Sequence, residues 1–354
     1  MRVLAGDVGG TNAILCLLEI DPKTQNINPV KKQKYASKQY KRFSDILEDF
    51  LGGETADYAS IAVAGPVENN SSTITNLSWK IVGEKLEREF KFKKAYLLND
   101  FAAVSYGILT LNEEELYLLK EGKKEGQEEE EKKGADREYP IAVVGAGTGL
   151  GESFLVKVKG EYQVFATEGG HTDFAPRNEI EWQLMHYLKH KFDLERVSVE
   201  RVVSGQGIVA IYQFLRDNNW AQESPEIGER IRRWEEGDES IDPGAVIGES
   251  ALKKNDLLSS KAISIFLSAY GAEVGNFALK TLPYSGIYIA GGIAPKLLPL
   301  IPESEFLKSF LDKGRMKPVL EKITVKIVTN PEVGLKGSIY HLLANLKNPS
   351  TTSL

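Results

Sequence analysis

Four short clusters in this chain place acidic, amide or hydroxyl side chains at the ends of apolar runs, three of them together with glycine. The first, Gly6-Asp7-Val8-Gly9-Gly10-Thr11, follows Val3-Leu4-Ala5 and leads straight into the apolar stretch Ala13–Leu18. Paired glycines let the backbone turn tightly and come close to a ligand with no Cβ in the way. Several N–H groups exposed in such a turn suit an anion, phosphate above all. An ordinary Gly-Gly hairpin fits the same residues, and the pattern alone leaves both readings open. The second cluster, Gly145-Ala146-Gly147-Thr148-Gly149-Leu150-Gly151, repeats the arrangement between Ile141–Val144 and a strand that begins at Phe154–Val158. It is not a dinucleotide fingerprint, because Leu150 and Glu152 stand where G-x-G-x-x-G needs glycine, and it lacks the Gly-Lys-Ser/Thr ending of a P-loop. It offers either a second turn of N–H groups for phosphate oxygens or a plain glycine-rich hairpin.

Asn99-Asp100 closes the short apolar strand Ala95–Leu98 and is followed by the helical Phe101–Ser105. A carboxylate at the carboxyl end of a strand in an open α/β sheet lies where such folds bind their ligands. Asp100 could cap the helix, a role aspartate favours, or accept a proton from a substrate hydroxyl. The two roles compete for the same oxygens, and position alone favours the cap. The fourth cluster is Glu168-Gly169-Gly170-His171-Thr172-Asp173. Short polar groups converging around two glycines suit a polyhydroxylated ligand, whose hydroxyls both donate and accept. A metal site is the poorer reading, since only His171 offers nitrogen and the carboxylates have no supporting spacing. His186 and His190 lie four apart without the Glu of H-E-x-x-H and read as helix surface.

The elements that must position these clusters follow from composition and pattern. With 354 residues, 42% hydrophobic and 27% charged, the chain should form two globular domains with sizeable cores. A net charge of −6 argues against nucleic acid as a partner. The one cysteine, Cys16, sits within an apolar strand, so neither an internal disulfide nor a cysteine zinc site can form. No signal-like amino terminus is visible and no apolar run approaches the length of a membrane span, so no membrane partner and a cytoplasmic protein are expected.

Residues 1–110 alternate strand and helix signals (helices at Phe43–Leu51 and Gly83–Phe90, a strand at Ala59–Ala64) and predict a small α/β domain, completed by the C-terminal segment 331–354. Residues 111–330 predict a larger α/β domain. It carries a low-complexity acidic insertion at 121–138 that reads as solvated and mobile. Beyond it lie a mostly helical region over 178–281 that includes a long apolar helix from Lys261 to Leu282, a late strand Gly286–Ala290 running into Gly291-Gly292, and a last strand at Ile323–Thr329. Each domain opens on a strand, a glycine-rich turn and a strand, as in a degenerate internal duplication.

Taken in order, the segments Leu4–Ala13, Leu98–Ala103, Gly145–Gly151, Glu168–Ala175, Val199–Gly205 (Val-Glu-Arg-Val-Val-Ser-Gly) and Ile289–Ala294 resemble the bacterial-type glucokinases. These belong to the larger hexokinase, actin and Hsp70-like ATPase superfamily. The resemblance covers nearly the whole chain. It implies a two-lobed ribonuclease H-like fold with a cleft between a small and a large domain, closing on the sugar. It also implies ATP-dependent phosphorylation of D-glucose at the 6-hydroxyl, with ATP and Mg²⁺ as cofactors.

On that resemblance, Gly6, Asp7, Val8, Gly9, Gly10 and Thr11 form the first phosphate loop, with Asp7 near Mg²⁺ through water. Gly147, Thr148 and Gly149 form the second, and Gly291 and Gly292 the adenosine motif. Asn76, Asn99, Glu168, His171 and Glu200 become sugar ligands, Asp100 the catalytic base, and a homodimer the assembly to test. A hexose kinase of other specificity is one alternative, although the zinc-bearing ROK branch is disfavoured by the single cysteine. A sugar-responsive regulator without catalysis is another.

Overall fold

The computed structural model describes residues 1–21, 26–74, 77–123 and 138–347. Asn76 and nearly all of the acidic segment expected at 121–138 lie outside the described residues. The chain divides into two compact units, one made of Met1–Glu115 with the C-terminal segment from Asn330, the other of Leu116–Thr329.

The first unit is built on strands β1 (Arg2–Val8), β2 (Asn12–Ile20), β3 (Ile27–Ala36), β4 (Tyr58–Val63), β5 (Ser71–Ile74), β6 (Trp79–Val82) and β7 (Lys94–Asn99). Its main sheet has the order β3-β2-β1-β4-β7, antiparallel through β3-β2-β1 and parallel through β1-β4-β7, while β5 and β6 form a separate hairpin. Side chains alternate across β1 because successive Cβ atoms of a strand point to opposite faces. Leu4 and Val8 join Leu15, Leu17, Ile46 and Phe50 on one side, whereas Val3 and Ala5 join Cys16, Leu18, Leu335 and Leu342 on the other. Cys16 is a buried free thiol, as its apolar neighbours predict. β3 has no counterpart in the sequence reading: it is a sheet edge whose residues are exposed apart from the half-buried Lys31 and the buried Tyr35, so it carries none of the apolar alternation that marks a strand.

The C-terminal helix Val333–Lys347 packs against the helix Asp100–Ile108 at Gly107 and Gly337, where a Cβ would meet the backbone of Val333 and of Ala103. Both glycines are there for close helix approach.

The second unit repeats this plan. Its strands are β8 (Leu116–Lys120), β9 (Ile141–Ala146), β10 (Leu150–Val158), β11 (Glu161–Thr167), β12 (Ile287–Ala290) and β13 (Val325–Val328). The order β11-β10-β9-β12-β13-β8 again begins with an antiparallel meander and continues with parallel neighbours, β8 being added antiparallel at the far edge. The two sheets therefore share one topology, which is the physical content of the suspected duplication.

The long apolar helix runs from Leu257 to Thr281. Its 25 residues are long and apolar enough to cross a membrane, which corrects the expectation that no run reaches that length. It serves instead as the core helix of this unit: Phe266 and Tyr270 are fully buried, and it packs against the helices Gly205–Asp217, Pro243–Lys253 and Phe306–Leu311.

Candidate active site

In the first unit the strand-end pair Asn99-Asp100 resolves the competition between cap and base. The cap is Asn99, not Asp100, which corrects the reading that position favours. Asn99 holds extended backbone angles, and its Oδ1 accepts from the N–H groups of Phe101 (3.0 Å) and Ala102 (3.1 Å). Its Nδ2 donates to the Gly65 carbonyl (3.0 Å) and to Asp100 Oδ1 (3.1 Å), so every hydrogen-bonding position of the amide is used. Asp100 stands one residue into the helix, where Phe101 N–H also donates to its Oδ1 at 2.7 Å. Oδ1 is thus fixed, and no other described residue donates to Oδ2.

Asp7, at the end of β1, is brought close to Asp100. Burial, and then the charge of Asp100, pushes the Asp7 carboxyl up to about 6. Burial likewise raises Asp100, against the lowering effect of the Phe101 N–H and the Asn99 amide. Neither carboxylate has a basic partner among the described residues. A Cβ on Gly334 would stand 2.7 Å from Asp7 Oδ2, so the C-terminal helix packs directly on the Asp7 carboxyl. The turn after Asp7 is braced from below: Gly9 N–H donates to the Asn12 carbonyl (2.8 Å), Ser37 Oγ to the Gly9 carbonyl (2.9 Å), and Ser37 N–H to the Thr11 carbonyl (2.9 Å). Gly6 is packed under Leu15 and Ile61, Val8 is buried, and Gly9, Gly10 and Thr11 remain accessible.

In the second unit the glycine turn between β9 and β10 is closed by Gly147 N–H to the Gly149 carbonyl, 2.8 Å. Gly205 N–H donates to the Gly147 carbonyl at 2.8 Å, which ties the turn to the start of the helix Gly205–Asp217. Glu200 Oε2 accepts from Leu150 N–H at 2.8 Å, and a Cβ on Gly149 would collide with that carboxylate. Gly291, at φ +82°, passes against the backbone of Ala146 where no side chain fits.

Gly147, Thr148, Gly292 and the helix start Gly205-Gln206 line one cavity of about 1440 Å³, together with apolar residues such as Phe192, Trp234, Leu252 and Leu297 and charged ones such as Lys191, Arg201 and Lys296. A helix N-terminus, a glycine turn, cationic and apolar side chains around one cavity suit a phosphorylated ligand with a flat apolar group. The helix start was missed as a site in the sequence, although Ser204 followed by Gly205-Gln206-Gly207 is a helix-cap pattern: Ser204 Oγ accepts from Gly207 N–H at 3.0 Å. The walls carry no local signal, because they come from segments far apart in the chain.

The segment 168–171 forms a short 3₁₀ turn after β11, with His171 Nε2 3.9 Å from Glu168 Oε2 and both side chains solvent-exposed. Arg196 Nη1 donates to the His171 carbonyl (2.9 Å) and to Asp173 Oδ1 (3.0 Å), joining this turn to the chain before Glu200. A second, smaller polar pocket of about 380 Å³ is lined by His171, Arg196, Ser198, Glu200 and Ser204. Within this unit, then, the structure brings His171 and Glu200 to one pocket, and Gly147, Thr148 and Gly292 to the other. Among the described residues no group of three or more His, Cys, Asp and Glu is disposed to cage a metal ion. Two partly buried carboxylates without a basic partner, Asp7 and Asp100, nonetheless fit a hard cation that keeps most of its ligands as water and phosphate, which is how Mg²⁺ is usually bound.

Paired sheets of this topology, each with a glycine turn at its first hairpin, define the chain as a sugar kinase of the actin-like ATPase fold. Within that class the chain belongs to the glucokinase family, whose model matches residues 4–345. A glucokinase of Nostoc punctiforme is 50% identical over 343 residues, covering 95% of this chain and 97% of that protein. The crystal structure of a glucokinase from an Antarctic psychrotroph is similar with a TM-score of 0.76 at 26% identity, covering 97% of this chain and 99% of that one. A glucokinase from Balamuthia mandrillaris, solved in complex with glucose, shares the fold with a TM-score of 0.73 at 21% identity, covering 96% of this chain and 92% of that one.

Proposed function

We propose that this protein transfers the γ-phosphoryl group of ATP to the 6-hydroxyl of D-glucose. The observation that carries the reading is the 50% identity to a named glucokinase over 95% of the chain. The catalytic base in this reading is Asp100. Its Oδ1 is held by Phe101 N–H and by the amide of Asn99, which leaves Oδ2 to accept the proton of the attacking hydroxyl. Asn99 acts on the sugar through this hold on Asp100, because its amide has no hydrogen-bonding position left over. Glu168, His171 and Glu200 serve as sugar ligands in the second unit, with Glu200 fixed by Leu150 N–H.

The nucleotide occupies the cavity of the second unit, with its phosphates toward Gly147, Thr148 and the helix start at Gly205 and its adenosine toward Gly292, which Gly291 sets in place by packing on the Ala146 backbone. Gly6, Val8, Gly9, Gly10 and Thr11 form the other phosphate turn. Asp7 would hold Mg²⁺ through water, and that ion when bound neutralises phosphate charge. The small domain comprises about 1–110 with the C-terminal segment and the large one about 111–330. The protein works in the cytoplasm, and a homodimer is its proposed assembly.

A coupled assay over a grid of donors (ATP, ADP, polyphosphate) and sugars (glucose, fructose, mannose, N-acetylglucosamine) tests this. The highest kcat/KM should fall on ATP with glucose. A higher value for another pair would overturn the assignment of donor or sugar, and no turnover on any pair would overturn the enzyme reading.

A further inference from the structure

Two glutamates lie buried side by side beneath the segment that carries Glu168 and His171, and the site described so far uses neither. Glu152, on β10, is 2% exposed, and Glu273, in the middle of the helix Leu257–Thr281, is 5% exposed. No hydrogen-bond donor among the described residues reaches either carboxyl oxygen of Glu152 or Oε1 of Glu273. The Tyr270 hydroxyl, whose proton Glu152 also influences, is already engaged by Ala146 N–H (3.1 Å) and the Val144 carbonyl (3.4 Å). Two ionised carboxylates cannot share so dry a place, since each lacks solvent and repels the other.

The polar neighbours of the two carboxyls differ. Asn276 Nδ2 donates to Glu273 Oε2 at 3.0 Å, and Lys313 Nζ, bonded to Asn276 Oδ1 at 2.6 Å, stands behind that amide. Lys280, on the same helix, acts on Glu152 only at a distance. The β9 residue opposite Glu152 is Val144 and the β11 residue is Thr167, neither of them titratable. Glu168 and His171 are the titratable groups of the overlying turn, and both face solvent.

Glu152 is also welded to that turn. Its carbonyl accepts from Thr167 Oγ1 (3.0 Å), and that oxygen accepts in turn from Gly169 N–H (3.2 Å). The Glu152 carboxyl fills the place a Cβ of Gly169 would occupy, while Gly170 presses on Leu150. Resting on the proposed role of Glu168 and His171 as sugar ligands, we propose that Glu152 is a positioning residue. It carries a proton that it donates to the Glu273 carboxylate, and this buried acid–carboxylate clamp seats the 168–171 turn on β10. Ionisation of Glu152 opens the clamp and weakens sugar binding.

Burial, reinforced by Glu273, holds the Glu152 carboxyl at about 8, so the clamp is closed at neutral pH and opens on the alkaline side. Because the folded protein keeps this proton where the unfolded chain loses it near 4.5, the resulting stability is complete below that pH and is lost as pH rises to about 8. One proton's linkage is a tenfold change in the unfolding constant per pH unit.

The test compares wild type with Glu152→Gln, whose amide is neutral at every pH and still donates to Glu273. The wild-type KM for glucose should rise about threefold or more from pH 7 to 9 as Glu152 ionises, while that of the variant stays flat. The unfolding constant of the variant should lose one proton's slope between about pH 5 and 8. A wild-type minus Glu152→Gln infrared difference spectrum at pH 7 should show the carbonyl stretch of one protonated carboxyl. Glu273→Gln removes the neighbouring charge and should shift the wild-type alkaline transition to lower pH, which keeps the test decisive if Glu152→Gln folds poorly. An alkaline rise in KM that persists unchanged in Glu152→Gln, or an infrared band that is absent from wild type, would overturn the clamp. The infrared and unfolding readouts need no turnover, so they judge the clamp even if glucose proves not to be the substrate.

Discussion

Replacing Asp100 with asparagine removes the proposed base while keeping its shape and an acceptor for Phe101 N–H, so activity and stability should move in opposite directions. A positioned base contributes about 10²–10⁴-fold, and kcat should fall by at least about 100-fold. Stability should rise. Shifting Asp7 from its ordinary 3.8 to about 6 corresponds to about 3 kcal/mol of disfavoured ionisation, with burial the larger cause and Asp100 the second. Removing the Asp100 charge relieves the smaller part of that, a gain of about 1 kcal/mol at pH 7, and lifting the burial cost of the Asp100 charge acts in the same direction.

The pH dependence follows from the same shift. Asp7 keeps its proton to higher pH in the folded state than in the unfolded chain, so its contribution to stability is complete below about 3.8 and is lost as pH climbs to about 6. Wild type should therefore lose stability over that window more steeply than Asp100→Asn. The assays are steady-state kinetics with coupled detection of ADP and urea unfolding at pH 4–7 without nucleotide or Mg²⁺. A near-normal kcat would remove Asp100 from the base role. A kcat loss accompanied by lower stability would mean that the substitution damages the fold, and the electrostatic reasoning about the pair would fail.

Asp7→Asn should stabilise the protein by up to about 3 kcal/mol at pH 7 without Mg²⁺, yet raise the Mg²⁺ concentration needed for half-maximal rate; a titration of rate against Mg²⁺ checks it, and an unchanged requirement would place the ion elsewhere. Gly291→Ala forces a Cβ into the backbone of Ala146 at a φ of +82°, so it should cost about 2 kcal/mol or more in urea unfolding and raise the KM for ATP more than that for glucose.

What the sequence made legible was chemistry local to the chain. Asp7 with Gly9-Gly10, the turn Gly145–Gly151 and the pair Asn99-Asp100 each sit within a few residues of one another, so type and spacing marked them. The cap assignment between Asn99 and Asp100 was not legible, because it turns on one residue of helix register and on the Gly65 carbonyl arriving from β4. β3 was hidden because an exposed edge needs no apolar alternation. The helix Leu257–Thr281 was visible as an apolar run, but its burial depends on three other helices packing around it. Glu152 and Glu273 meet only through the fold, one on a strand and the other on a helix, and nothing near either residue announces the other.

The central claim is phosphoryl transfer to one hydroxyl of glucose, and the product reports on it directly. Purified protein with MgATP and glucose, followed by phosphorus NMR, should yield glucose 6-phosphate in step with ADP, and ADP should not accumulate when glucose is omitted. ADP release indifferent to glucose, or phosphate on any other hydroxyl, would contradict the account.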